Sequence, residues 1–212
     1  GFTGYYLYQG LSKEHHLIGT STTDTACIPL NLAETSRIMP TLEQHRADAI
    51  CMPAAMTRMD KVAEDAALSR RINVRAVEQV ARYAEKRDIP VIFFSSEAVF
   101  DGRQGPYAEK DATCPTSEYG RQKREAEQMI SALPKGTVLR ISHIYGWDRR
   151  GLSFVSRLYG ALAQQAAVEV PEDIFCTPVY VGDIVRVVQA LLRQPYKGIL
   201  HLGGPQSLSR YQ

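Results

Sequence analysis

The chain has no apolar stretch approaching the roughly 20 residues that cross a bilayer, and its N-terminus lacks the charged-then-apolar pattern of a secretion signal. Those absences lead to the expectation of a cytoplasmic protein with no membrane partner. Neither sign of charge is in excess: 25 basic and 23 acidic side chains leave +2, with positive residues scattered among negative ones. There is no basic stripe of the kind that tracks a phosphate backbone, so nucleic acid is not expected as a partner. Cysteine is sparse. Cys27, Cys51, Cys114 and Cys176 form no Cys-x-x-Cys and stand in or near apolar runs such as Ala49 to Met52, and all four are expected to be buried, reduced thiols. His15, His16, His45 and His143 have no His-x-x-x-His spacing and no paired carboxylates, so no metal site is expected. Internal repeats and low-complexity segments are also lacking.

What is present is an alternation. Short β-rich runs occur at His16 to Thr20, Asp48 to Met52, Pro90 to Ser95 and Thr137 to Ser142. Between the second and third, Val62 to Lys86 carries apolar residues at helical spacing (Ala66, Ile72, Val74, Val77, Val80, Ala81, Ala84), which predicts one long crossover helix. Such alternation is the signature of βαβ units and a parallel sheet. After Ser142 the texture changes. Helical patterns at Ser153 to Gln165 and Asp183 to Arg193 are mixed with short apolar pieces at Val168 to Val170, Ile174 to Val181 and Ile199 to Leu202. The expected organisation is a dinucleotide-binding domain over residues 1–143, then sheet-completing strands and part of a small substrate-facing lobe over 144–212.

Gly1-Phe2-Thr3-Gly4 leads straight into a helical pattern, Tyr5 to Lys13. A plain loop-to-helix start can look the same, but its place ahead of a βαβ pattern favours the later part of a Gly-x-x-Gly-x-x-Gly fingerprint. There glycines let the backbone approach a pyrophosphate at a helix N-terminus. On that reading a first strand and its first glycine should precede Gly1, and the chain is expected to be cut at both ends.

Tyr119 and Lys123 stand four apart in a helical pattern, on one helix face. A phenol with an ordinary pKa near 10 needs help to exchange protons at neutral pH, and an ammonium beside it is expected to lower that pKa. Ser96 ends a parallel strand, where open α/β sheets bind ligands, and its hydroxyl can hydrogen-bond a substrate carbonyl. The Tyr-x-x-x-Lys spacing alone is commonly a packing residue beside a solvated lysine. Ser96 upstream and the surrounding βαβ pattern make it a catalytic constellation.

These residues carry a resemblance. Ser95 to Gly102, Pro106 to Asp111 and Pro115 to Glu127 resemble the Ser-Thr-Asp-Tyr-Val-Phe-Asp-Gly, Pro-Tyr-x-Glu-x-Asp and Pro-x-x-x-Tyr-Gly-x-(Ser/Thr)-Lys-x-x-x-Glu motifs of the extended short-chain dehydrogenases. Within that superfamily they are most similar to the dTDP-4-dehydrorhamnose reductases. Ala54-Ala55 with Asp60, Lys61 and Glu64 looks like the family's cofactor-wall segment. Arg140 to Gly146, Thr177 to Asp183 and His201 to Tyr211 look like its later motifs, the last being the turn before final helices that are missing here.

The resemblance implies a Rossmann-type doubly wound α/β fold with a small C-terminal substrate-binding lobe. It implies Tyr119 as general acid, Lys123 as the residue that tunes it and holds the nicotinamide ribose, and Ser96 as the carbonyl-orienting hydroxyl. Gly1, Phe2, Thr3, Gly4, Ser21, Thr22, Ala54 and Ala55 would line the cofactor, and Glu97, His143 and Trp147 the substrate. His143 could equally serve the structure, and Trp147 could equally pack in the core. The sequence departs from the family pattern with Ser96 for threonine, Glu97 for aspartate, Ala98 for tyrosine and Met52-Pro53 for Asn-Ala. The first change keeps the hydroxyl; the others alter substrate contacts and the cofactor wall. The uncharged run Gly19 to Thr23 tolerates a 2′-phosphate, but no arginine stands there, so NADP(H) is only slightly preferred over NAD(H).

The activity so implied is reduction of a nucleotide-linked 4-keto-6-deoxy sugar. Two other readings remain: a sugar-nucleotide epimerase or dehydratase that retains its NAD, and a non-catalytic NADP-binding regulatory subunit like the β subunit of methionine adenosyltransferase. One scaffold hosts all three. A homodimer is left open.

Overall fold

The computed structural model describes residues 1–148, 151, 153–209 and 211. Arg210, within the His201 to Tyr211 match, lies outside them. From the N-terminus run α1 (Phe2–Leu11), β1 (Thr20–Ser21), β2 (Ile28–Pro29), α2 (Thr35–His45) and β3 (Ile50–Met52). Then come α3 (Met59–Glu64), α4 (Ala66–Arg70), a π-helical turn at Arg71–Arg75, α5 (Ala76–Arg87) and β4 (Val91–Ser96). A 3₁₀ turn at Glu97–Val99 leads on to α6 (Glu118–Ala132), β5 (Gly136–Ile141) and β6 (Ile144–Tyr145). The remainder comprises α7 (Phe154–Ala163), β7 (Phe175–Cys176), β8 (Val179–Tyr180), α8 (Val181–Arg193), β9 (Gly198–Leu202) and β10 (Leu208–Ser209).

The central sheet is parallel, in the order β3-β4-β5-β9. Its strands are apolar on both sides because helices cover both faces. On β4, Val91 and Phe93 point into one core with Ala76, Val77 and Val80 of α5 and Ala126 and Ile130 of α6. Ile92 and Phe94 point into the other, with Leu7 and Leu11 of α1 and Ile184 and Val188 of α8. Strand alternation then puts Val138 and Arg140 of β5 on the α6 side, and Leu139 and Ile141 on the α8 side. The result is the doubly wound α/β architecture expected from the alternation. β1 and β2 form a separate parallel pair, as do β6 and β8; β7 and β10 pair antiparallel.

Several sequence expectations are corrected. The strand expected at His16 to Thr20 is only Thr20–Ser21, because the one described strand that pairs with it is two residues long. The single helix expected from Val62 to Lys86 is broken. Asp65, at φ −131° and ψ 78°, leaves helical geometry and caps α4 by accepting from the Leu68 amide at 2.8 Å, and the ladder then widens into the π turn. Val168 to Val170 has no regular structure. The expectation of four buried thiols holds for Cys176 alone: Cys27 and Cys51 are half-buried, and Cys114 is exposed in the loop before α6, where no apolar run covers it. No helix among the described residues is long and apolar enough to cross a membrane.

Helix α6 lies tightly on the end of β4. Ser117 caps it by accepting from the Gly120 amide at 3.0 Å, and a Cβ on Gly120 would fall 2.1 Å from the Ala98 carbonyl oxygen. Gly120→Ala must push α6 off the 3₁₀ turn. The expected loss is about 1–3 kcal/mol of stability, typical of overpacking, measured by denaturant unfolding; an unchanged midpoint would contradict this packing.

Candidate active site

The C-terminal ends of β4 and β5 are level, with Ser96 beside Ile141. Ser96 leaves β4 in extended geometry and its hydroxyl accepts from the Ala98 amide at 3.2 Å, which fixes the oxygen over the strand end. From α6, the Tyr119 side chain approaches the same strand end closely enough for the Ser96 hydroxyl to act on its phenol. One turn on, the Lys123 Nζ donates to the Phe94 carbonyl at 2.6 Å and lies 4.3 Å from the centre of the Phe93 ring. Tyr119 is 7% exposed and Lys123 3%, so both polar groups work inside the helix–sheet interface. The structure thus brings Ser96, Tyr119 and Lys123 together.

The electrostatics differ from the sequence expectation in one respect. The phenol of Tyr119 is pushed up to about 12, by burial first, with the neighbouring Ser96 hydroxyl pulling the other way. The lysine was expected to lower it, but the Lys123 ammonium is turned to the Phe94 carbonyl and stands 6.0 Å from the tyrosine ring centre. Tyr119 is accordingly a phenol, not a phenolate, near neutrality. Burial also brings the Lys123 ammonium down to about 7, against the opposing charge of Glu127.

The residues expected to line a cofactor fall into two places. The N-terminus of α1 has Gly1 at its cap position and no acidic residue in its first turn, and among the described residues no side chain caps it. Gly4 faces the loop after β3, where a Cβ on it would lie 3.9 Å from Pro53 Cγ; Ala54 and Ala55 follow in that loop. Phe2 packs edge-on to Tyr6 at 5.3 Å and lies beside Gly146; Thr3 is half-buried. Ser21 and Thr22 lie at the end of β1. The Ser21 hydroxyl accepts from the amides of Thr23 and Asp24 at 3.2 and 3.1 Å, and Thr22 is exposed. An uncapped helix end suits a pyrophosphate, and a buried ammonium with spare protons suits a ribose hydroxyl, so these residues fit a dinucleotide.

Of the residues expected to face substrate, Glu97 and His143 meet: Glu97 Oε1 is 3.1 Å from His143 Nδ1, at the ends of β4 and β5. Trp147 stands apart and 56% exposed, which removes the core-packing alternative. It is edge-on to Tyr159 at 5.5 Å, and its carbonyl accepts from the Tyr6 hydroxyl at 2.7 Å.

Two supporting networks rest on pairings that apolar periodicity does not reveal. Asn73, on the π turn, pairs both backbone groups of Met56: its Oδ1 accepts from the Met56 amide at 2.9 Å and its Nδ2 donates to the Met56 carbonyl at 3.0 Å. Its Nδ2 also donates to Gln122 Oε1 at 2.9 Å, and Gln122 donates to Ser69 at 2.9 Å. This tie fixes the 53–56 loop against the helix that carries Tyr119 and Lys123. On the other side of the lysine, Arg140 forms a two-pronged ion pair with Glu127, both side chains 5% exposed. Glu127 and Arg140 stood in the family-like segments Pro115 to Glu127 and Arg140 to Gly146, but their pairing did not show; Asn73 was signalled only as a polar residue on an otherwise apolar face.

Because the folded Lys123 titrates near 7 and its ordinary value is 10.5, the unfolded chain holds this proton between those values and the folded chain does not. That contribution to stability is absent below about pH 7 and grows as pH rises through the window. Lys123→Met removes it. The difference in unfolding temperature between parent and variant is expected to move in the parent's favour from pH 7 to pH 10, by calorimetry; a pH-independent difference would count against the buried ammonium.

The family model described as the RmlD substrate binding domain matches residues 1–212. A probable dTDP-4,6-dihydroxy-2-methyloxan-3-one 4-ketoreductase of Streptomyces antibioticus is 34% identical over 86% of this chain, and the match spans 62% of that relative's length, under two thirds. A hypothetical dTDP-4-dehydrorhamnose reductase from Sulfolobus tokodaii superposes with a TM-score of 0.91 at 26% identity, covering 100% of this chain and 76% of that one. A dTDP-4-dehydrorhamnose reductase from Bacillus anthracis, solved in complex with NADP, superposes with a TM-score of 0.78 at 25% identity over 85% of this chain and 65% of its own. With the Ser96, Tyr119 and Lys123 cluster at the strand ends and the whole length matched, the chain belongs to the RmlD substrate-binding family.

Proposed function

We propose that the protein is an NAD(P)H-dependent reductase of a nucleotide-linked 4-keto-6-deoxy sugar. The observation that carries this reading is the burial of Tyr119 and Lys123, one turn apart on α6, against the end of β4 that presents the Ser96 hydroxyl. Relatives named as reductases of dTDP-linked keto sugars support it.

In this reading the substrate's keto oxygen accepts hydrogen bonds from the hydroxyls of Ser96 and Tyr119. Tyr119, a phenol throughout the neutral range, gives its proton to that oxygen as the carbonyl carbon is reduced. A bound nicotinamide supplies the hydride. Lys123 holds the ribose and offers positive potential to the tyrosinate left behind. Gly1, Phe2, Thr3 and Gly4 present the α1 amides to the pyrophosphate, Ala54 and Ala55 form a wall, and Ser21 and Thr22 meet the adenosine ribose. With no acidic residue at the end of β1, a slight preference for NADP(H) belongs to the same proposal. Glu97 and His143 would contact sugar hydroxyls, and Trp147 would wall the sugar or base. Residues 1–143 would carry the cofactor and 144–212 complete the sheet and face the sugar, in a cytoplasmic enzyme.

Tyr119→Phe keeps the ring and removes the proton donor. With a dTDP-4-keto-6-deoxy sugar and NADPH, kcat is expected to fall about 10²–10⁴-fold with the unfolding midpoint unchanged. Retained turnover would contradict the assignment; cofactor binding without turnover on dTDP-, UDP- or GDP-linked keto sugars would favour the regulatory-subunit reading instead.

A further inference from the structure

Among the described residues no carboxylate comes within ion-pair distance of the Lys123 ammonium. It has one carbonyl at 2.6 Å and one aromatic face at 4.3 Å, in an interface that leaves it 3% exposed. An ammonium so placed loses its proton readily unless a fixed negative charge acts on it. Glu127 is one helical turn further along α6, on the same face and 4% exposed. Its carboxylate is immobilised. Arg140 Nε donates to its two oxygens at 3.0 and 3.2 Å, and Nη2 donates at 2.9 Å. Arg140 is itself braced: Nη1 donates to the Glu109 carbonyl at 3.2 Å and lies 3.3 Å from His201 Nε2, and the guanidinium stands 5.0 Å from the Phe100 ring centre.

We propose that Glu127, held in place by Arg140, is a positioning residue that sets the charge of Lys123 and with it the pH range of the site. The proposal rests on the reading above only for the use made of the lysine. The charged and titratable groups around the pair are few. Tyr119 shares their helix, and Glu97 follows β4 and faces His143 beyond β5. Arg140 lies on β5 and His201 on β9, and the Glu109 carboxylate accepts from the His201 amide at 3.0 Å. Of these, Glu127 is the charge that opposes the effect of burial on Lys123, raising its hold on the proton. Ser96 and Phe100 stand at the two ends of the same turn, so the Arg140 brace also fixes the strand end that presents the serine hydroxyl.

The direct test is a ¹³C NMR titration of the Lys123 side chain in the whole protein, assigned by the signal lost in Lys123→Met. Glu127→Gln alone leaves a buried guanidinium unpaired and can unfold the chain, so the main variant is Glu127→Gln with Arg140→Met, which removes both charges together. The parent is expected to titrate near 7 and the double variant lower, the loss of the carboxylate on the lysine's own helix face outweighing the loss of the guanidinium on β5. Glu127→Asp, which keeps the ion pair but withdraws the carboxylate by one methylene, is expected to fall between. An unmoved midpoint in the double variant and in Glu127→Asp would overturn the proposal, as would a loss of stability with the titration unchanged, the signature of a merely structural role. A parent that titrates as expected but reduces no keto sugar would sink the reductase reading while leaving the role of Glu127 standing.

Discussion

The site depends on one constraint: helix α6 must lie against the C-terminal end of β4 closely enough that a phenol from its face approaches the strand-end serine and an ammonium one turn on reaches the Phe94 carbonyl, both inside the protein. Everything near that contact serves it. Gly120 leaves room for the Ala98 carbonyl, Ser117 caps the helix, and apolar β4 and β5 residues cover both faces so that the helix has a continuous surface to pack on. Burial then dictates the chemistry. The phenol stays protonated and the ammonium becomes labile, because a low-dielectric interior disfavours charge on each.

Polar groups held inside such an interface need partners, and two separate sets of them are paired here. One runs from Gln122 through Asn73 to the Met56 backbone and ties the loop after β3 to α6. The π turn at Arg71–Arg75 carries Asn73, consistent with the tendency of such turns to occur at functional sites. The other is the Glu127 to Arg140 ion pair. Breaking either from one side would leave a buried polar group or charge alone, which is why both read as specificity devices as much as sources of stability.

The sequence made the main frame legible. The runs that become β4 and β5 are apolar as two-sided burial demands, and Ser96, Tyr119 and Lys123 sit where a strand end and a helix face must meet. What it hid has common physical causes. α2 contains Pro40, a residue that argues against a helix interior. The break at Asp65 depends on a local cap that competes with a long apolar period. Asn73 meets Met56 seventeen residues away and Gln122 forty-nine away, and periodicity, which tracks apolar spacing, carries no signal for such pairs. Cys114 was misplaced because its surroundings in sequence, Thr113 and Pro115, said less about burial than cysteine's general preference did.

The central claim is that a hydride reaches the carbonyl carbon held by Ser96 and Tyr119. The most direct measurement is label transfer: NADPH deuterated at nicotinamide C4, in each of its two stereochemical forms, is mixed with the protein and a dTDP-4-keto-6-deoxy sugar, and the product is read by NMR. Deuterium from one form alone at the former keto carbon is the predicted result. Tight binding of both cofactor and sugar with no deuterium transferred would contradict it.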